Sequence, residues 1–76
     1  MEVYALTAKG KATLKEMRQS SGLTKTSSYR VFEYLNRIGD GNAGQIAGGT
    51  GLSVGEVVST LRESVTGGLV RVLGKV

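Results

Sequence analysis

The sequence predicts an α+β domain, helical at its centre, with a short β-type run near each end. Three observations predict it. Apolar residues recur at helical spacing in three segments, each preceded by a side chain able to cap a helix, and a short fourth segment around Ile46-Ala47 follows a cap but is weakened by Gly48, Gly49 and Gly51. Glycines stand where those segments should stop: Gly22, Gly39, Gly51 and the pair Gly67-Gly68. The runs Glu2–Leu6 and Leu69–Leu73 are apolar, partly aromatic or β-branched, and free of helix signals.

The elements follow in order. Glu2-Val-Tyr-Ala-Leu6 reads as a strand, and Thr7 as the N-cap of a helix over Ala8 to Ser20. Gly10, Leu14 and Met17 fall on one face of it, with Lys9, Lys15, Glu16 and Arg18 away from that face. Ser21 to Ser28 reads as a polar loop, with Ser27 or Ser28 capping a second helix that runs to Ile38. Val31, Phe32, Leu35 and Ile38 form the strongest apolar stripe of the chain. Gly39-Asp40-Gly41 turns the chain, and Asn42 caps a short third helix with Gln45 placed to complete a capping box. Ile46 and Ala47 are its expected buried residues. Ser53-Val-Gly-Glu56 is a second formal capping box and opens the fourth helix, with Val57, Leu61 and Val65 expected to face inward. In the last strand, Val70 and Val72 lie on one side and Leu69 and Arg71 on the other. No internal repeat and no linker divides the 76 residues, so residues 1–76 read as a single domain.

Composition excludes several chemistries. There is no cysteine, hence no disulfide and no thiolate metal site, and no histidine, which removes the commonest general base and zinc ligand together. No apolar stretch is long enough to span a bilayer, and no signal-peptide pattern is visible at the N-terminus. The expected setting is cytoplasmic and away from membranes. Net charge is +4, and its distribution matters more than its size. Up to Arg37 there are seven basic residues against three acidic ones; from Ile38 onward there are three of each. The excess positive charge, which favours a polyanionic partner, lies wholly in the first half.

Residues Tyr29 to Leu73 resemble the core of winged helix-turn-helix transcription regulators. The resemblance rests on Val31, Phe32 and Leu35, then Gln45-Ile46-Ala47, Gly51-Leu52-Ser53, Val57, Leu61 and Gly68-Leu69-Val70. Ala47, Gly51 and Val57 match the family spacing of a small residue, a turn glycine four residues on, and an aliphatic six further. Two closely crossing helices need a small side chain at their contact, and the tight turn needs a positive φ. The match departs at Ser64, where the family places an aliphatic residue; Val65 is expected to take that role. Val3-Tyr-Ala-Leu-Thr-Ala-Lys-Gly10 resembles the part of such regulators that follows the wing, where a returning strand enters a closing helix. Reading Val76 into Met1 yields an ordinary wing. The resemblance therefore implies a circularly permuted winged helix: a three-helix core, an N-terminal helix, and a small antiparallel β-hairpin made by the N- and C-terminal strands. The alternative is that the N-terminal strand and helix are an added edge element, or pair with a second chain.

The resemblance also implies a function, binding of double-stranded DNA as a transcription regulator does, with the fourth helix in the major groove and the wing on the backbone or minor groove. Carried onto this chain, Gly55, Ser59 and Arg62 become the presented residues, with Glu56 and Thr60 flanking them and the cap Ser53 a further contact at the helix start. Ser59 and Thr60 offer hydroxyls to bases or phosphates, and Arg62 a guanidinium. Glu56 is read first as a cap. Asn42 and Gln45 combine capping with phosphate binding at a helix N-terminus. Arg71 and Lys75 are the wing contacts, and Lys25 and Arg30 the flanking backbone contacts. The Lys-rich first helix reads as a solvated face or as a homodimer contact. The recognition helix has one cation and two anions, which argues for weak binding. Gly39 to Gly44 fits G-x-G-x-x-G in form, but a helix rather than a strand precedes it, so no cofactor is expected. The acidic residues are too scattered for a metal site or a catalytic pair, and an enzyme is not expected. Two other readings stay open: a protein-interaction module, which the near-neutral second half favours, and an engineered permuted scaffold without DNA activity.

Overall fold

The computed structural model describes residues 2–20, 22 and 26–75, with Lys75 described by its backbone alone. The elements run β1 (Glu2–Leu6), α1 (Ala8–Gln19), α2 (Ser27–Ile38), α3 (Ala43–Thr50), α4 (Val54–Thr66) and β2 (Val70–Lys75). The α+β class and the order of elements agree with the sequence reading.

Local capping explains most boundaries. Thr7 caps α1, its hydroxyl accepting from the Gly10 N–H at 3.0 Å. The same hydroxyl donates to the Gly68 carbonyl at 2.6 Å, so one side chain starts the helix and ties it to the α4–β2 turn. Lys9 adds a bond from its ammonium to the Gly67 carbonyl at 3.0 Å, an anchoring role within the chain for a side chain expected on a solvated or dimer-contact face. The first helix ends at Gln19 rather than Ser20, because Ser20 leaves the helical conformation and its N–H returns to the Met17 carbonyl. The cap of α2 is Thr26, not Ser27 or Ser28: its hydroxyl accepts from the Tyr29 N–H, and both serines lie inside the helix. The polar loop before it lies mostly outside the described residues.

β1 and β2 pair antiparallel, Leu6 opposite Val70 and Glu2 opposite Lys75. Val3 faces Gly74 while Tyr4 faces Val72, so Leu73 is an extra residue and β2 bulges there. On its other side β1 exchanges two backbone bonds with Gly41, Tyr4 N to Gly41 O at 2.9 Å and Gly41 N to Tyr4 O at 3.0 Å. β1 is therefore central, between β2 and the α2–α3 connection.

The core gathers Leu6 and Val70 from the sheet, Leu14 from α1, Val31, Phe32 and Leu35 from α2, Ile46 and Ala47 from α3, and Val57 and Leu61 from α4. Two expectations of the apolar pattern are corrected. Ile38 is 55% exposed, because the last turn of α2 runs past the end of the core. Val65 is 38% exposed and Ser64 is buried in its stead. At 100° per residue, Ser64 lies within about 20° of Val57 around the helix axis, whereas Val65 is turned about 80° away. The Ser64 hydroxyl is satisfied by the Thr60 carbonyl at 2.7 Å. Val72, expected beside Val70, does share its face of the sheet but stands 43% exposed beyond the core.

The Asn42 capping box forms as the sequence suggests. Asn42 Oδ1 accepts from the Gln45 N–H and Gln45 Oε1 accepts from the Asn42 N–H, both at 2.9 Å. Asn42→Ala is expected to lower stability by about 1 kcal/mol, the usual cost of losing such a cap. A denaturant titration monitored by circular dichroism reads this as a lower midpoint at unchanged slope.

Candidate nucleic-acid interface

α3 and α4 meet through the connection 51–53. Gly51 adopts the left-handed conformation at φ +77°, and its N–H closes α3 onto the Ala47 carbonyl at 3.0 Å. A residue with a Cβ is strained at that φ, which is why the turn takes glycine. The Thr50 hydroxyl donates to the Ile46 carbonyl at 2.7 Å and accepts from the Leu52 N–H at 3.3 Å, fixing the exit of α3. Ile46 and Ala47 are buried behind the turn, and Leu52 packs against the core.

α4 then begins at Ser53, whose hydroxyl accepts from the Glu56 N–H at 3.2 Å. The second formal capping box does not close in the reciprocal backbone form. The Glu56 carboxylate accepts instead from the Ser53 hydroxyl and from the Ser27 hydroxyl of α2, both at 3.3 Å. Glu56 thus fastens the starts of α2 and α4 together, in keeping with its first reading as a cap.

The outer face of α4 presents Gly55, Ser59 and Arg62, all exposed, and the cap Ser53 is exposed at the start of the helix. Space where a Gly55 Cβ would stand is open, so packing does not require glycine there. Thr60 does not belong to this face. It is buried at 9% exposure, since three residues after Val57 it falls on the inward side of the helix with Ser64.

Arg62 borders an open groove of about 510 Å³ between α4 and the sheet. Val58 and Val65 line it from α4, and Tyr4, Val72 and Glu2 from the strands. The Tyr4 hydroxyl donates to Glu2 Oε2 at 3.1 Å. Burial pushes the Tyr4 phenol above its ordinary pKa, helped by the Glu2 carboxylate, while the Arg62 charge pulls the other way. Arg71 is exposed on β2. Lys75 ends β2 opposite Glu2, and Lys25 lies outside the described residues.

The remaining candidates lie apart from the α4 face. Asn42 and Gln45 sit at the start of α3, a helix length of about 12 Å from the turn into α4. Their oxygens are engaged in the cap. Arg30 is exposed on α2 and borders a different groove, between α2 and α3, together with Tyr34, Arg37 and Thr50. Arg37 and the two tyrosines of that groove were not among the sequence candidates. The signal was present: Arg30, Tyr34 and Arg37 recur at i, i+4, i+7, opposite the apolar stripe Val31, Phe32 and Leu35.

Among the described residues, no group of three or more acidic side chains is placed to hold a metal ion, and no helix is long and apolar enough to cross a membrane. No protein-family model, curated protein or solved structure matches this chain.

Proposed function

We propose that this domain is a winged helix-turn-helix that binds duplex DNA through the exposed face of α4, with the β1–β2 hairpin as its wing. The observation that carries the reading is the α3–turn–α4 unit: two helices joined by a left-handed glycine, packed on α2 and backed by a small antiparallel sheet. The antiparallel register supports circular permutation. It sets Glu2 opposite Lys75, so that the two strands of the wing come from opposite ends of the described chain. Ser53, Ser59 and Arg62 are the base and phosphate contacts of this reading, Arg71 the wing contact, and Gly55 the point where the helix backbone approaches most closely. With few cations on the face, affinity rests on few phosphate contacts and falls steeply with salt.

Fluorescence anisotropy of a labelled random-sequence duplex, at about 50 mM and about 200 mM salt, tests the reading. Saturable binding that weakens with salt is expected, and Arg62→Gln should cost about 1–3 kcal/mol of binding free energy without shifting the thermal midpoint. Equal binding by parent and variant would remove α4 as the contact surface.

A second reading, a protein-interaction module, is favoured by one observation. Val58, Val65 and Val72 make the groove between α4 and the sheet partly apolar, where a DNA-facing groove would be expected to carry cations. On that reading the chain self-associates with rising concentration and leaves the duplex unbound.

A further inference from the structure

The groove between α2 and α3 is unexplained by the α4 face. It is small, about 230 Å³, and open, below the size of pockets that enclose drug-sized ligands. Arg30 and Arg37 stand on its α2 wall, and Gly49 and Thr50 form its α3 wall. The Tyr34 ring lies against Gly49 so closely that a Cβ there would collide with the ring. The Arg37 guanidinium stands 5.9 Å from the same ring's centroid.

The charges in this groove do not cancel locally. Its carboxylate, Glu33, is held by Arg18 of α1 through contacts of 2.9, 3.0 and 3.1 Å. That pairing neutralises Glu33 and leaves the charges of Arg30 and Arg37 uncompensated within the groove. The Thr50 hydroxyl spends its proton on the Ile46 carbonyl, so the donors toward a ligand are the guanidiniums and tyrosine hydroxyls. This chemistry selects an oxyanion.

The groove's walls are tied to the start of α4 through the chain and one hydrogen bond. Thr50 precedes the α4 cap, Ser53, by three residues, and the start of α2 is bonded to the start of α4 through Ser27 and Glu56 at 3.3 Å. Glu56 is the acid nearest that junction, and its two oxygens are taken by the Ser27 and Ser53 hydroxyls.

We propose that the α2–α3 groove is an anion site that seats a phosphate of the nucleic-acid backbone through Arg30 and Arg37, extending the contact surface of α4. This rests on the DNA-binding reading, and the test separates the two. The full chain, Arg62→Gln, and the double variant Arg30→Gln/Arg37→Gln are titrated with the random duplex over a salt series, with amide NMR on the parent. Both arginines are exposed, so the double variant keeps its fold, which its thermal midpoint verifies. The double variant should bind roughly tenfold more weakly, and its log–log salt slope should fall by about 1 for each arginine removed. In the parent, duplex should shift the Tyr34 and Gly49 amides. If the double variant keeps parental affinity and slope while Arg62→Gln weakens binding, the groove inference fails and the function stands. If the parent binds no duplex, the DNA reading fails, and inorganic phosphate and adenosine monophosphate decide the groove. Saturable shifts at Tyr34 and Gly49 that vanish in the double variant retain the anion site, with a free phosphate as its ligand. No shifts overturn it.

Discussion

Phe32→Ala is expected to leave the domain largely unfolded at room temperature. Phe32 is 1% exposed and is the largest of the fully buried side chains, packed where helices from both halves of the chain meet the sheet. Truncating such a ring costs about 3–5 kcal/mol, through lost transfer free energy and the cavity left behind. Stabilities of 0.05–0.15 kcal/mol per residue put a chain of this size at about 4–11 kcal/mol in total. A domain of this size without a disulfide lies toward the lower end of that range, so little is left after the substitution. Circular dichroism should show loss of most helical signal at 25 °C, or a denaturant midpoint near zero. A midpoint within about 1 kcal/mol of the parent would mean that the core described above is not the core in solution.

Gly10→Ala is the second large effect, and its sign is the informative part. An alanine in an open helical position is more stable than glycine by about 1 kcal/mol. Gly10 is not open. A Cβ there would run into the Leu69 carbonyl oxygen and approach Leu6 Cδ2 to 3.0 Å. That carbonyl already accepts the Thr7 N–H at 3.0 Å, and Thr7 is itself bonded to Gly68. The backbone around it is therefore held from several directions and yields poorly. The expected loss is about 1–3 kcal/mol, as for overpacking elsewhere. Ala12→Gly, at an exposed position of the same helix, serves as the control for propensity alone, with a loss of about 1 kcal/mol. Stabilisation by Gly10→Ala would contradict the close seating of α1 on the α4–β2 turn.

The parts of this structure that were legible from the residues are those decided within a few positions of chain. Thr7, Asn42 with Gln45, and Ser53 announce helix starts, and Gly51 and Gly68 announce ends, because caps and left-handed turns are local geometry. The cap of α2 is not decided by the residues alone, because three consecutive hydroxyl residues, Thr26, Ser27 and Ser28, satisfy the same local rule. At Ser64 and Thr60 hydrophobicity and helical angle point to different residues: Val65 is the more apolar, but Ser64 lies nearer the line of Val57 and Leu61, and Thr60 falls on the same inward side. The pairing of β1 with β2 joins residues some seventy positions apart, and it was legible only through resemblance, since neither strand carries a turn that points to the other. The bulge at Leu73 and the bridge from Tyr4 to Gly41 leave no trace in composition.

The candidate site divides in the same way. Gly55, Ser59 and Arg62 share a face because helical spacing makes them share it, and Ser53 stands at the start of the same helix as its cap. The groove of Arg30, Arg37, Tyr34 and Gly49 needs α3 to be laid across α2, and the neutralisation of Glu33 needs α1 to bring Arg18 within 2.9 Å. Neither follows from spacing within a single element. Arg18 and Arg30 look alike in the sequence; the packing makes one an internal counter-ion and leaves the other facing solvent.

The most direct test of the central claim is a two-dimensional amide NMR titration of the full chain with a random-sequence duplex, at low and then moderate salt. Shifts concentrated at Ser53 to Arg62 and at Arg71, reversed as salt rises, are expected. A well-dispersed spectrum that does not move at low salt would contradict DNA binding by this domain.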